Sequence, residues 1–395
     1  MKILHTVEFY YPNVGGAQEV VRHLSERMVA AGHDITVATT KLPNRSSMVH
    51  NGVKIVEFDV SGNTVNSIKG EKKKYADFLI NSDFDIIMTY AAQQWTADVI
   101  LENIDKIKTK KVFVPCGYSA LYDPLYKKYF KELPEKLNKF DATVYLSNDY
   151  RDINFAREHS IKNIVVIPNG ADENEFKTDL NDDEKRRLRN SYGIGGLVII
   201  SVGNYTGEKG HLELLDVFRK LPVSKATLIT AGTIKPHDGC FDEFEKQAEK
   251  INLGRKYIGK RVVMLDGSDR NLVKDALKLA DIFVFLSNIE CSPLVLFESA
   301  AAGTPFIATA AGNNKEIAKW LKAGVIVKSH SRPNGRVVAD KRDALVQATK
   351  LAHNRQKRLE MGSAGKKIWQ EEFTWDKLTK DYINLYENIL KGQKI

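Results

Sequence analysis

A chain of 395 residues is longer than one hydrophobic core usually supports, so we expect two domains. With 43% hydrophobic and 28% charged residues, the composition is that of an ordinary globular protein and excludes a fibrous or largely disordered chain. The formal net charge of +9 favours anionic partners (nucleotides, phosphate groups, an acidic membrane surface or nucleic acid) without choosing among them.

Neither the cysteines nor the apolar runs indicate a secreted or membrane-spanning protein. The three cysteines are far apart and odd in number, which gives no disulfide framework and no metal-ligand spacing. The start, MKILHTVEFYYPNVGG, has too short an apolar stretch for a signal peptide, and no segment approaches the roughly 18 apolar residues of a membrane span. We therefore expect a cytoplasmic protein, with peripheral contact to the inner face of a membrane left open.

The first half of the chain alternates β-rich runs with helical patterns, which predicts a parallel α/β sheet. The strand KILHTV is followed by the loop EFYYPNVGG and by a helix over residues 17–31, which Gly32 ends in the left-handed conformation. Further strands are predicted at DITVATT, GVKIVEF, FDIIMTY, KKVFVP and ATVYLS, and NIVVIPNGAD closes this half. Gly15 and Gly16 stand at the first strand–helix junction, where glycines let backbone amides approach a phosphate.

Residues 126–140, YKKYFKELPEKLNKF, allow two interpretations. Apolar and aromatic residues recur at helical spacing among lysines, and Pro134 is expected to break or restart the helix. In the first interpretation the helix packs on the core and has one solvated side. In the second it is an interfacial helix, whose Tyr126, Tyr129 and Phe130 insert into an anionic membrane or meet a lipid-linked acceptor.

The second half of the chain repeats the order of the first. A charged stretch, residues 173–190, is expected to separate the halves, and strands then follow at LVIISVG, ATLITAG, RVVMLDG, DIFVFLS, FIATA and GVIV. The last stretch, TWDKLTKDYINLYENIL, predicts an amphipathic helix with Thr374 as N-cap and one shared apolar face, formed by Leu378, Tyr382, Leu385, Tyr386 and Leu390. We therefore predict one domain over residues 1–173 with the helix 374–395, and a second domain over residues 191–373.

Two glutamates with seven residues between them give the clearest functional signal, in NIECSPLVLFESAAAGTP. Glu290 lies just past the predicted strand DIFVFLS, at the end where ligands bind in open α/β sheets. Ser292 is the expected N-cap of the next helix, so the amides up to Leu294 and Val295 would face an anion, typically a phosphate.

The second glutamate, Glu298, would lie about 7–8 Å further along this helix, at a rise of 1.5 Å per residue. Each carboxylate can accept two hydrogen bonds from vicinal hydroxyl groups. A ligand with phosphates in the middle and hydroxyl-rich sugars at both ends would fit. This describes a nucleoside diphosphate sugar, with its ribose at Glu298 and the transferred sugar at Glu290.

The same stretch resembles the E-x(7)-E motif of the retaining GT-B glycosyltransferases of family four, the glycosyl transferases group 1. Four more segments are similar to that family in the same order: YYPNVGGAQEVVRHLSERMVAAGHDITVAT, VVIPNGADENEF, SVGNYTGEKGHLELLDVF and AGNNKEI. The resemblance implies the α/β GT-B architecture, with two Rossmann-like domains facing each other across a cleft and a C-terminal helix that crosses back to the first domain.

The resemblance also implies a retaining, metal-independent transfer of a sugar to a hydroxyl group of a sugar or a lipid-linked acceptor. The donor would be a nucleoside diphosphate sugar, with a UDP-sugar favoured over a GDP-sugar, and it would be a substrate rather than a cofactor. Lys209 and Glu290 are the implied catalytic residues. The implied donor contacts are Gly15, Gly16, Asn204, Lys209, Glu290, Ser292, Leu294, Val295 and Glu298, with the nucleotide base near Gly267, Ser268 and Arg270.

The sequence departs from the family at two places. Asn204 stands where the family usually has an arginine, for which Arg270 is a candidate substitute. No histidine occurs near Cys116 and Gly117, where the family commonly places one against the donor sugar. These departures keep open a catalytically inactive partner subunit that binds a nucleotide sugar.

Two other functions and one metal site are weighed against the proposed transferase. A nucleotide-sugar epimerase of the GT-B fold stays open as an alternative. Nucleic-acid binding is excluded, because the charge is dispersed and no recognition motif occurs. The D-x-D spelling of Asp83 and Asp85 is not taken as a metal site, because an aspartate at the start of a strand is ordinary, and no other cluster has metal-ligand spacing.

Overall fold

The computed structural model describes residues 1–233 and 239–393, which form two compact units. The first unit contains Met1–Asn169 and Trp375–Ile395, and the second contains Gly170–Thr374. The charged stretch 173–190, expected as a connection between domains, instead lies in the second unit and is partly helical. Helix α6 covers Glu173–Phe176 and α7 covers Asp182–Tyr192, which begins with a capping box between Asn181 and Glu184.

The first unit is built on an eight-stranded sheet with the strand order β10-β9-β8-β7-β1-β2-β4-β3, in which only the β3–β4 pair is antiparallel. Its strands are β1 Lys2–Thr6, β2 Asp34–Thr40, β3 Val49–His50, β4 Val53–Phe58, β7 Ile86–Tyr90, β8 Lys110–Val114, β9 Ala142–Tyr145 and β10 Ile164–Val166, with a small ladder of β5 Val60–Ser61 and β6 Lys69–Gly70. Its helices are α1 Gly16–Ala30, α2 Lys72–Ile80, α3 Trp95–Glu102, α4 Lys127–Leu137 and α5 Arg151–Glu158. The predicted strands of this half are all present.

Helix α1 ends as the sequence predicts. Gly32 has a φ of +88°, its N–H donates to the carbonyl of Val29, and the N–H of His33 donates to the carbonyl of Met28. This is the hydrogen-bond pattern of a Schellman motif, which needs a left-handed residue after the helix. The glycine therefore fixes where the chain turns from α1 into β2.

Helix α4 continues through Pro134, so the expected break at that residue is wrong. A proline in a helix lacks the amide N–H and its ring crowds the carbonyl of the preceding turn, but here the N–H of Asn138 still donates to the carbonyl of Pro134 at 3.3 Å. The buried face of the helix offsets the loss. That face contributes Tyr129, Phe130, Leu133 and Leu137 to the core of the first unit, which the flanking Tyr126 and Phe140 also enter.

The burial of this face decides between the two interpretations of residues 126–140. Phe130 is 7% exposed, and its ring meets those of Tyr118 and Phe155 with centroids 5.4 and 5.7 Å apart. The aromatic rings therefore belong to the core, and their predicted insertion into a membrane is wrong. Among the residues the structure describes, no helix is long and apolar enough to cross a bilayer.

The second unit has a six-stranded parallel sheet with the order β13-β12-β11-β14-β15-β16. Its strands are β11 Leu197–Val202, β12 Ala226–Gly232, β13 Lys260–Asp266, β14 Ile282–Phe285, β15 Phe306–Ala308, β16 Gly324–Ile326 and a hairpin of β17 Ser329–Ser331 and β18 Val337–Ala339. Its further helices are α8 His211–Lys220, α9 Gly239–Leu253, α10 Arg270–Leu279, α11 Leu294–Ala301, α12 Asn314–Leu321, α13 Lys341–His353 and α14 Arg355–Glu372. Alternate residues of β11 enter two different apolar clusters, so both faces of the sheet are covered.

The C-terminal helix, α15 Trp375–Leu390, returns to the first unit as predicted. The buried ring of His5 in β1 connects α15 to α1 within the first unit, because it hydrogen-bonds Ser25 of α1 at 2.8 Å and Tyr386 of α15 at 3.4 Å. Burial lowers the pKa of His5 to about 3, so this ring stays neutral. Leu390 was predicted on the buried face but is 41% exposed, because it is the last residue of the helix.

Candidate functional site

The strand order of the second unit places two predicted loops side by side. Numbered within the unit, the strand order is 3-2-1-4-5-6. The strands after β11 are added on one side of it and those from β14 onward on the other, so the strand order reverses between β11 and β14. Ligands of open α/β sheets bind at this reversal, beyond the carboxyl ends of the strands. The loop after β11, residues 203–210, carries Lys209, and the loop after β14, residues 286–293, carries Glu290.

Lys209 and Glu290 form an ion pair at this point. The Nζ of Lys209 donates to Oε1 of Glu290 at 2.6 Å, and the hydroxyl of Ser287 donates to the same oxygen at 2.6 Å. The side chain of Glu290 is 10% exposed and that of Lys209 is 28% exposed. Lys209 can therefore exchange its partner for an anion that approaches from solvent.

Glycines permit the close approach of the chain segments around this pair. Gly210 has a φ of +72°, and a Cβ there would lie 2.2 Å from the carbonyl oxygen of Leu286. Gly312, in the AGNN segment, has a φ of +56°, and its Cβ would lie 2.4 Å from the carbonyl oxygen of Cys291. Larger residues would push these segments apart and separate the groups that they carry.

Helix α11 begins one residue later than predicted. Its N-cap is Pro293 in an extended conformation, not Ser292, whose hydroxyl instead accepts from the side-chain amide of Asn313 at 3.3 Å. Leu294 and Val295 are the first helical residues, and amides in that position have no partner within their own helix. Their predicted role as anion contacts is compatible with this placement.

Glu298 lies in the second turn of α11 and is bound by Arg270. Oε1 of Glu298 accepts from Nη2 of Arg270 at 2.7 Å, while Nε of Arg270 donates to Glu175 at 3.0 and 3.1 Å. Burial alone would lower the pKa of Arg270, but the carboxylates of Glu298 and Glu175 raise it by more than burial lowers it. The pKa therefore lies above its ordinary value, and the guanidinium stays charged. Arg270, predicted in the base region, is thus held between two carboxylates.

The other predicted donor residues of this unit lie on neighbouring loops. Asn204 accepts hydrogen bonds from the backbone and hydroxyl of Thr233, at 3.1 and 2.8 Å, and so joins the loops after β11 and β12. Gly267 donates its N–H to the carbonyl of Gly232 at 3.0 Å, and the N–H of Ser268 donates to Asp266 at 2.9 Å. Asn204 therefore supplies a loop contact where the family pattern has a charge.

Gly15 and Gly16 belong to the first unit and stand at the carboxyl end of β1. Gly16 opens α1, and a Cβ built on it would meet nothing within 4 Å. Gly15 has a φ of −179°, which any residue can adopt, and its Cβ would contact only the flexible side chain of Gln18. The open space at Gly16, not backbone strain, is the feature that suits the approach of a ligand.

The residue that holds the loop before these glycines, Arg45, carries no signal in the sequence. The guanidinium of Arg45, whose side chain is 1% exposed, donates to the carbonyls of Tyr11 at 2.7 Å and Tyr10 at 3.2 Å, and it pairs with Glu57. A buried ion pair of this kind is stable only when its hydrogen bonds are satisfied. Arg45 thus determines the course of the loop that leads to Gly15.

The place where the family has a histidine is a strained turn. Cys116, Gly117 and Tyr118 have φ values of 55°, 99° and 43°, and the N–H of Gly117 donates to the carboxylate of Asp152 at 2.9 Å. Burial raises the pKa of Asp152 to about 6. Consecutive left-handed residues are costly and persist where the surrounding structure holds them, which is common at functional sites.

Asp83 and Asp85 are placed away from the carboxyl ends of the strands. They precede β7, where the backbone N–H of Lys2 donates to Asp85 at 2.7 Å and its Nζ donates to Asp83 at 2.5 Å. Both therefore interact with the amino-terminal end of the sheet. Within residues 1–233 and 239–393, no three His, Cys, Asp or Glu side chains are grouped as metal ligands would be.

Two family models match the chain, one on each half. Residues 14–175 match Glycosyltransferase Family 4, and residues 184–367 match Glycosyl transferases group 1. Among curated proteins, N-acetyl-alpha-D-glucosaminyl L-malate synthase of Bacillus anthracis is 24% identical and aligns with 97% of each chain. The GPI3 subunit of phosphatidylinositol N-acetylglucosaminyltransferase from Saccharomyces cerevisiae is 25% identical, over 97% of this chain and 82% of its own.

Solved structures of similar fold cover almost the whole chain. Sucrose-phosphate synthase from Thermosynechococcus elongatus superposes with a TM-score of 0.78 at 16% identity, over 99% of this chain and 100% of its own. Alr3699/HepE of Anabaena, in complex with UDP, superposes with a TM-score of 0.75 at 14% identity, over 98% and 100%. The fold comparison thus agrees with the GT-B architecture that the sequence motifs imply.

Proposed function

The chain belongs to the GT-B glycosyltransferases that carry a group 1 glycosyl transferase domain, and on this premise we propose that it transfers a sugar from a nucleoside diphosphate sugar to an acceptor hydroxyl with retention at the anomeric carbon. The observation that carries the proposal is the ion pair of Lys209 and Glu290 at the sheet reversal, beside the start of α11. It brings a cation for phosphate and a carboxylate for sugar hydroxyls to the place where α/β sheets bind ligands.

The proposed reaction breaks the bond between the anomeric carbon and the phosphate oxygen. A bond to the acceptor oxygen forms on the same face of the sugar, and the departing phosphate takes the proton of the acceptor hydroxyl. Negative charge that builds on the diphosphate is met by Lys209 and by the amides of Leu294 and Val295, which are fixed before the reaction begins. Glu290 binds hydroxyls of the transferred sugar, and Gly15 and Gly16 are further proposed contacts of the diphosphate.

We propose a UDP-sugar as the first donor to test and a GDP-sugar as the second. Support comes from Alr3699/HepE of Anabaena, a protein of similar fold whose structures include complexes with UDP and with UDP-glucose. For the acceptor we propose a sugar or lipid-linked hydroxyl, in the synthesis of a glycan, polysaccharide or glycolipid. Support comes from relatives named for transfer to phosphatidylinositol and for an O-antigen chain.

A nucleotide-sugar screen tests the proposed activity. We expect thermal stabilisation of the protein by the cognate nucleoside diphosphate, because a ligand that binds only the folded state stabilises it by mass action. With the donor sugar and an acceptor, we expect release of the nucleoside diphosphate. Stabilisation without release would favour an inactive binding subunit, and an epimeric nucleotide sugar formed without acceptor would favour an epimerase.

Chelation tests whether the reaction is independent of metal. We expect EDTA to leave most of the transferase activity, because Lys209 and backbone amides are the groups proposed to neutralise the diphosphate. The measurement is nucleotide release before and after dialysis against EDTA. Complete loss that manganese or magnesium restores would contradict the proposal.

A peripheral membrane contact is proposed through the solvated face of α4. Lys127, Lys128 and Lys131 are exposed on this face, and Leu125 just before it is 72% exposed. Each lysine near an anionic surface contributes about 1 kcal/mol at low salt. Changing all three lysines to glutamate should release the protein from vesicles that contain phosphatidylglycerol, measured by co-sedimentation.

The matched control makes the same charge change at Lys72, Lys73 and Lys74 of α2, in the same unit. This variant should still bind the vesicles, and both variants should keep the circular dichroism of the wild type. Wild-type protein that stays in the supernatant at low salt would end the membrane proposal and favour an acceptor in solution.

A further inference from the structure

One oxygen of the Glu298 carboxylate is buried without a hydrogen-bond partner in the part of the chain that the structure describes. The residue is 8% exposed, and Oε1 accepts from Arg270 at 2.7 Å, whereas Oε2 accepts from no group there. Buried carboxylate oxygens normally find a donor, so an open one needs an explanation. A hydroxyl group of a bound ligand is the donor that would suit it.

The position of Arg270 explains why Oε2 stays open. Its Nε lies 3.0 and 3.1 Å from the two oxygens of Glu175, and its Nη2 also contacts Oε2 of Glu175. Nε and Nη2 form one edge of the planar guanidinium, so Glu175 fixes both the plane and this edge. Nη2 gives its remaining hydrogen to Oε1 of Glu298, and in this orientation of the guanidinium Nη1 donates to neither oxygen of Glu298, which therefore receives one bond.

A different arrangement would arise without Glu175. Arginine and carboxylate favour a pair of parallel hydrogen bonds, in which one edge of the guanidinium meets both oxygens. Arg270 would then be able to turn this edge to Glu298 and cover Oε2. Glu175 competes with Glu298 for the edge, and the observed geometry shows that Glu175 holds it.

We propose that Glu175 is a positioning residue for the donor: it holds Arg270 by the Nε–Nη2 edge and so keeps Oε2 of Glu298 available to a ribose hydroxyl of a nucleoside diphosphate. The inference rests on the proposed function, because it places a nucleotide at Glu298. Glu175 acts through Arg270 and makes no contact with the donor. It lies 95 residues from Arg270 in the chain, in the segment VVIPNGADENEF, and belongs neither to the E-x(7)-E motif nor to the phosphate loop.

A purely electrostatic role for Glu175 predicts the opposite result. Two carboxylates and one guanidinium give this cluster a formal charge of −1, which repels a diphosphate. Removal of Glu175 would then tighten the binding of every phosphate ligand. Loss of positioning instead weakens only those nucleotides whose ribose carries hydroxyl groups, so the sign of the change separates the two roles.

Titration calorimetry on the full chain tests the proposal. The probes are UDP or GDP, whichever the wild type binds more tightly, its 2′,3′-dideoxy analogue, and pyrophosphate. We expect the wild type to prefer the ribose form about ten-fold or more, as for one charge-assisted hydrogen bond. In Glu175→Ala we expect that preference to disappear, because affinity for the ribose form falls about ten-fold while that for the other two probes is unchanged.

Three further variants complete the test. Glu298→Gln should reduce the same preference, and Glu175→Gln, which keeps an oxygen for Arg270, should retain most of it. Asp183→Ala removes a carboxylate that is 75% exposed and should change none of the three affinities.

Two results for Glu175→Ala would overturn the proposal: ribose-form binding that is equal to or tighter than wild type, or a parallel loss of all three probes. Wild-type protein that binds neither nucleotide would overturn the proposed function and this inference with it. The two failures are therefore distinguishable, because only the second appears in the unmodified chain.

Discussion

Replacing Lys209 with alanine is expected to lower kcat about 10²–10³-fold while KM for the donor changes much less. The reason is that negative charge on the diphosphate grows as the sugar leaves, so a cation at this position stabilises the transition state more than the bound donor. The ion pair with Glu290 fixes where the ammonium stands before the donor arrives. Steady-state nucleotide release over a range of donor concentrations measures both constants.

A matched control separates this effect from a general loss of positive charge. Lys256 is exposed in the 3₁₀ helix Arg255–Tyr257, and Lys256→Ala should leave kcat and KM near those of the wild type. A Lys209→Ala enzyme with normal kcat and a raised KM would show that the lysine only binds the donor. In that case the role in leaving-group departure would be wrong.

Replacing Phe130 with alanine is expected to lower the free energy of unfolding by about 3–5 kcal/mol, the usual range for a large aromatic residue in a core. The ring is buried in α4 among Tyr118, Tyr129 and Phe155, with centroid separations of 5.2–5.7 Å. Alanine would leave a cavity, because helix and sheet can relax only in part. Urea unfolding, followed by a signal of the first unit, gives the change in stability.

Leu125 provides the control for this experiment. It lies one turn earlier and is 72% exposed, so Leu125→Ala should change stability by no more than about 0.5 kcal/mol. A loss of similar size in both variants would mean that burial does not decide the result. A negligible loss in Phe130→Ala would contradict the packing of the ring in the core.

The features that could be predicted from the sequence depend on residues close together in the chain. Strand and helix order follows from local periodicity, and the end of α1 follows from one glycine, Gly32. The loops with Lys209 and Glu290 were also predictable, because the carboxyl ends of parallel strands lie along one edge of a sheet. The strand pattern therefore indicated the site before any contact was known.

The features that could not be predicted depend on contacts between distant residues. Arg45 binds the carbonyls of a loop more than 30 positions earlier, and Arg270 joins Glu298 to Glu175 across the second unit. Arg270 was predicted near the nucleotide base, but no local pattern indicates which groups either arginine contacts, because these partners are set by tertiary packing. The error at Pro134 has the same origin, since core contacts on the other residues of α4 outweigh the local preference of proline to end a helix.

In the proposed reaction, the ion pair of Lys209 with Glu290 has a consequence for product release. A nucleoside diphosphate sugar that takes Lys209 from Glu290 can return hydroxyl groups of its sugar to the carboxylate. Once the sugar has been transferred, the remaining nucleoside diphosphate competes for Lys209 and offers Glu290 nothing in exchange. Re-formation of the 2.6 Å ion pair would then compete with the bound nucleoside diphosphate for Lys209 and favour its release. The site would thus become available to the next donor molecule.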